Sequence, residues 1–121
     1  MTRFSRNIRP HVDAELGAAS IVEAQGRAQV AFAHLERAHV LGQASTVEHV
    51  RVHWRMFAWG WRQRSVRECA GQVFRMVGAA TKTFSGLVPE GNTGGSNVSP
   101  FKPFPVPADL QALIRDARSL R

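Results

Sequence analysis

Gly42-Gln43-Ala44-Ser45-Thr46-Val47-Glu48-His49 is the stretch on which the reading of the fold turns. Gly42 ends a helical pattern. Ser45, followed three residues later by Glu48, forms a capping box: the hydroxyl accepts the backbone N–H of residue 48, and the carboxylate answers the N–H of residue 45. One helix therefore stops near residue 42 and the next starts near 46. Only Gln43 to Ser45 lie between them, so the spacing predicts two helices folded back antiparallel.

Working upstream, Ala28, Ala31, Phe32, Leu35, Ala38 and Gly42 share one face and predict a helix over 27–42. Gly26 is a stop for an earlier helix, predicted over 10–25, with Pro10 at its first position and Asp13 and Glu15 in its first turns. Residues 1–9 then read as a loose arm. Downstream, helical periodicity covers 46–62, and a second capping box, Ser65-x-x-Glu68, opens a helix over 65–82.

After Lys82 the composition changes. Pro89, Pro100, Pro103, Pro105 and Pro107, with the run Gly91-Asn92-Thr93-Gly94-Gly95-Ser96-Asn97, predict an extended segment over 83–106 that docks on the helices through Phe101 and Phe104. A final helix over 107–119 starts at Pro107 and carries Leu110, Leu113 and Ile114 on one face. The expectation is a single all-α domain over 1–121. Its helical body, 10–82, consists of two antiparallel hairpins, in a four-helix or a tetratricopeptide-like arrangement. The second form is suggested by Ala31, Leu35 and Ala38, whose spacing returns 39 positions later in Ala70, Phe74 and Val77.

Composition narrows the function classes. With 121 residues, 44% of them hydrophobic and 21% charged, the chain suits one globular domain. No run of about 18 apolar residues exists, which excludes a spanning helix. The basic start leads into no apolar stretch and is not read as a secretory signal. One cysteine, Cys69, excludes an internal disulfide and a cysteine-rich zinc site, and points to a reducing cytoplasm. The formal charge is +7, carried by 14 arginines and two lysines spread along the chain. That balance attracts anionic partners, so nucleic-acid binding stands as a minor reading and a protein-interaction module as the runner-up.

The chemistry-bearing residues are histidines. His49, His53 and Met56 share a stripe on the 46–62 helix, and His39 sits at the centre of the apolar face of the 27–42 helix. The short connection sets position 39 opposite about position 49, with His53 one turn further along. Three imidazoles therefore converge between two packed helices. Glu36 precedes His39 in a Glu-x-x-His spacing that metal-binding bundles use. The candidate metal ligands are His39, His49 and His53, with Glu36 and Met56 as additional ones. Imidazole suits zinc, nickel and copper; haem, with His49 or His53 as axial ligand, is the weaker fit. His11 and His34 fall elsewhere. A nucleophile elbow, a phosphate-binding loop and a His-Glu-x-x-His motif are all absent, so a metal-binding or metal-handling protein is expected in preference to an enzyme.

Three segments carry a resemblance. His34-Leu35-Glu36-Arg37-Ala38-His39-Val40-Leu41-Gly42-Gln43, the His53-Trp54-x-Met56-x-x-Trp59-Gly60 run, and the Gly91–Gly95 loop leading to Ser99-Pro100-Phe101 resemble an uncharacterised family of small bacterial proteins, a domain of unknown function. The resemblance spans most of the chain and implies neither an activity nor established site residues.

Overall fold

A computed structural model describes residues 1–85 and 105–120. The described residues form five helices and no strand: α1 (Arg3–Ala24), α2 (Ala28–Gly42), α3 (Thr46–Arg62), α4 (Val66–Ser85) and α5 (Ala108–Ser119). The all-α expectation holds. Phe101, Phe104 and the Gly91–Gly95 loop lie outside the described residues.

Each connection follows from local chemistry. Gly26 adopts φ +80°, and the chain leaves α1 through paired bonds from Arg27 N to Val22 O and from Gly26 N to Glu23 O, the arrangement a left-handed glycine permits. Ser45 Oγ accepts from Glu48 N at 3.3 Å and Ser65 Oγ from Glu68 N at 3.1 Å, so both capping serines act as expected. Arg64 takes the left-handed position (φ 57°) that ends α3.

The first helix corrects the sequence reading. It begins at Arg3, not at residue 10, because Thr2 caps it by accepting from Ser5 N at 3.0 Å. Pro10 lies inside the helix, and residues 1–9 are not a loose arm. No acid occupies the first turn. Asp13 and Glu15 act further along: Asp13 pairs with Arg51, and Glu15 takes both His34 and Arg37. What holds this start in place is burial of Ile8, Val12 and Leu16 on one face, reinforced by a 2.6 Å bond between the Ser5 and Ser45 hydroxyls. At its other end α4 also runs past the expected stop at 82, to Ser85.

Cross-contacts fix the directions of the helices. His39 meets His49 while Phe32 meets Trp59, so α2 and α3 run antiparallel. His53 meets Gln72 while the Phe57 carbonyl meets Cys69, so α3 and α4 do too. Close approach depends on glycines at two points. A Cβ on Gly42 would stand 3.0 Å from Glu48 Cβ, and one on Gly60 would stand 3.2 Å from Glu68 Cβ. The apolar core lies between α1, α2, α3 and α5, where Leu110 and Ala117 are buried. Asn7 Nδ2 donates to the Ala117 and Leu120 carbonyls, satisfying the end of α5. Among the described elements α4 packs on α3 alone, as an outer layer.

Candidate metal centre

The end of α2 and the start of α3 place the three imidazoles. His49 and His53 stand one turn apart on the inner face of α3, and His39 projects from α2 toward both. All three are buried, at 2% (His39), 5% (His49) and 2% (His53) exposure. His39 Nε2 lies 2.9 Å from His49 Nε2 and 3.1 Å from His53 Nε2. The rings of His49 and His53 each meet the His39 ring edge-on, with centroids 4.7 Å apart. The sequence-derived trio is thus brought together through one nitrogen of each ring, and one ligand-capable atom from each falls within 4.8 Å of the others.

Of the two further candidates, one falls outside the donor group and the other lies in the apolar core. Glu36 is half-buried and is not a member of the donor group. Met56 is fully buried in the hydrophobic core cluster, one turn beyond His53. His34 bonds Glu15 Oε2 at 2.7 Å, away from the trio, and His11 is half-buried on α1.

Sequence reasoning missed the layer behind the histidines. Gln72 on α4 is fully buried, and its Oε1 accepts from His53 Nδ1 at 2.5 Å. The orientation of this amide is set by Glu68, whose carboxylate accepts from Gln72 Nε2 at 3.4 Å. With the proton of His53 held on Nδ1, its Nε2 carries a lone pair directed into the cluster. The available signal was the spacing Glu68, Gln72 and Arg75, which puts three polar side chains on one face of α4; the sequence reading used Glu68 only as a capping partner.

Electrostatics keep His49 and His53 neutral. Burial pushes His49 down to about 3, with the neighbouring His53 adding to the effect. Burial likewise pushes His53 down to about 4; the bond to Gln72 opposes this and the nearby Arg75 charge assists it. Burial lowers Arg75 itself, against the attraction of Glu68. The fully buried Glu48 adjoins His49 in sequence, but its carboxylate is engaged elsewhere: Arg51 Nη1 donates to it at 2.5 Å, and Arg9 stands 3.7 Å away. The group therefore consists of imidazoles alone, with His49 and His53 held neutral and no carboxylate or thiolate among them.

The chain matches, over residues 6–114, the model of a family described as "Protein of unknown function (DUF3703)". No curated protein and no solved structure matches it.

Proposed function

We propose that this chain, which belongs to the DUF3703 family, binds a divalent transition metal of the zinc, nickel or copper class through His39, His49 and His53. The observation that carries this reading is the meeting of three Nε2 atoms in a buried place, with His53 supported from behind by Gln72.

Hydrogen bonding alone serves this geometry poorly. His53 Nε2 is an acceptor, so His39 Nε2 must donate to it if that contact is a hydrogen bond. The same N–H then stands 2.9 Å from His49 Nε2 and cannot point at both rings. If His49 donates to His39 instead, two lone pairs face each other across 3.1 Å. A cation resolves the conflict, because all three lone pairs then point at one centre. Bonds of about 2.0–2.1 Å in a tetrahedron set neighbouring nitrogens about 3.3 Å apart. The two separations from His39 need to open by only a few tenths of an ångström, and the ligand atoms of His49 and His53 lie within 4.8 Å of each other. Neutral imidazole is the ligating form, and the lowered His49 and His53 values keep it available at neutral pH. The partner on His53 Nδ1 is of the kind that fixes tautomer and ring orientation in metal sites.

Elemental analysis of the full chain, expressed without a polyhistidine tag in metal-supplemented medium, tests the proposal. Near-stoichiometric zinc, nickel or copper in the native protein, lost in His49→Ala and His53→Ala but kept in His11→Ala, is the expected result. A metal-free wild type that also fails to take up these ions in titration would leave a hydrogen-bonded histidine core as the explanation.

A further inference from the structure

The outer side of the α3–α4 pair is apolar, although both helices already bury another face. Trp54 is 57% exposed, Trp61 71%, Val66 83% and Phe74 64%. Trp54 stacks on Phe57 with centroids 5.6 Å apart, and Phe57 leads on to Trp61 at 6.2 Å. Together they line a shallow groove with almost no polar surface.

The exposed residues of the two helices form one surface, as the helical geometry shows. Phe57 and Cys69 meet at the helix–helix boundary. At about 100° per residue, Trp54 and Trp61 lie roughly 40–60° beyond Phe57, in the sense leading away from His53. Val66 and Val73 lie the same roughly 40–60° beyond Cys69, away from Gln72. In antiparallel helices these equal rotations turn both sets to the same side. The surface is therefore two helices wide.

Its charge is one-sided. The only acids between residues 46 and 85 are Glu48 and Glu68, and both are buried toward the core. Arg64, in the α3–α4 connection, and Arg67, on the first turn of α4, are exposed and make no ion pair among the described residues. Glu23 of α1 reaches the groove only as the partner of Arg62. A face to which α3 and α4 contribute no exposed acid, with indoles, aliphatic side chains and bordering guanidiniums, combines the two attractions that hold a protein on a charged bilayer, apolar burial at the headgroup boundary and attraction to anionic lipid. Tryptophan is the residue enriched at that boundary.

We infer that the outer face of the α3–α4 pair docks on the surface of an anionic lipid bilayer. A second copy of the chain would bring the exposed Arg64 and Arg67 of two like faces together. Nucleic acid would find Val66 and Val73 offering neither a stacking plane nor a hydrogen bond. No helix of the described chain is long and apolar enough to cross a membrane, so the attachment is peripheral.

The test uses the full chain with vesicles of phosphatidylcholine alone or mixed with phosphatidylglycerol. Co-sedimentation with the phosphatidylglycerol vesicles only, weakened by salt and accompanied by a blue shift of tryptophan emission, is expected. Trp59, buried and bonded to the Ala28 carbonyl, supplies a constant background. The double variant Trp54→Ser/Trp61→Ser and the charge variant Arg64→Glu/Arg67→Glu should each lower partitioning by about tenfold or more, with circular dichroism unchanged. The inference is overturned by absence of binding to phosphatidylglycerol vesicles, by equal binding of the tryptophan variant, or by a face that instead proves to be occupied by a second copy or by an oligonucleotide.

Discussion

His53 connects the layers of the centre, because one ring nitrogen faces two imidazoles and the other faces Gln72. Replacing Gln72 by Leu removes the acceptor and leaves a buried N–H on Nδ1 without that bond. For a ligand-supporting residue the expected loss of metal affinity is about 10–100-fold, read by competition with a chelating dye; Gln72→Glu, which keeps an acceptor, should restore most of it. Unchanged affinity in Gln72→Leu would show that His53 needs no support. The same burial sets a pH dependence for the metal-free protein. Folded His49 and His53 stay neutral down to about 3 and about 4, whereas their ordinary value is 6.5. Below 6.5 the unfolded chain therefore binds more protons than the folded one, and stability falls as pH falls. The slope approaches about 1.4 kcal/mol per pH unit for each histidine between about 6.5 and about 4. Urea midpoints measured from pH 7.5 to 5 should drop steadily; a flat profile would mean that these rings are not buried as neutral species. The trio itself was legible in the sequence, because a three-residue connection fixes register and helical spacing fixes face. Gln72 was harder to read, because the polar row Glu68, Gln72 and Arg75 reads equally well as a solvated face.

At the scale of the element, α1 shows where local signals mislead. Proline is favoured at a first helical position, and Pro10 read that way places the start seven residues late. The actual start is set by Thr2 with Ser5, and by the Ile8, Val12 and Leu16 stripe that carries the helix through the proline. Pro10 gives up the N–H that would bond to the Arg6 carbonyl, and it is exposed, so its ring contributes no core packing. Pro10→Ala should therefore stabilise the protein, by roughly 1–3 kcal/mol from the restored bond and relieved clash. Gly26→Ala should act oppositely. At φ +80° a Cβ meets no atom within 4 Å, so the cost is backbone strain alone, about 1 kcal/mol. Chemical denaturation of the two variants reads both effects. A destabilised Pro10→Ala would mean that the proline fixes the path of α1 in a way its exposure does not reveal. The serine halves of the two capping boxes were dependable by contrast, since each is a self-contained bond between a side chain and its own helix end. In place of the return bonds from Glu48 and Glu68, Ser45 N donates to the Gly42 carbonyl and Ser65 N to the Gly60 carbonyl.

Over the whole molecule, the helices are attached unequally. α1, α2, α3 and α5 enclose the shared apolar core, whereas α4 packs on α3 alone among the described elements. Yet α4 supplies Gln72, so the proposed metal would sit where the core helices α2 and α3 meet a helix that has a single packing partner. A ligand that binds only the folded form stabilises it by mass action, about 2.7 kcal/mol at a free concentration one hundred times Kd. For a domain of this size that corresponds to a rise in Tm of roughly 10 °C. The gain should not be uniform. Segments that open locally are protected in proportion to what the ligand adds to their closed state, and α4 lies closer to that limit than the buried stripe of α1. Saturating zinc or nickel should therefore slow amide exchange most across residues 68–76, less across α2 and α3, and least at the Thr2 end of α1. The Gln72→Leu variant separates this effect from a general tightening: it should keep metal at high concentration but lose the extra protection of α4. If zinc and nickel raise Tm while exchange in α4 is unaffected, the metal would be held by α2 and α3 alone, and Gln72 would merely cover the site.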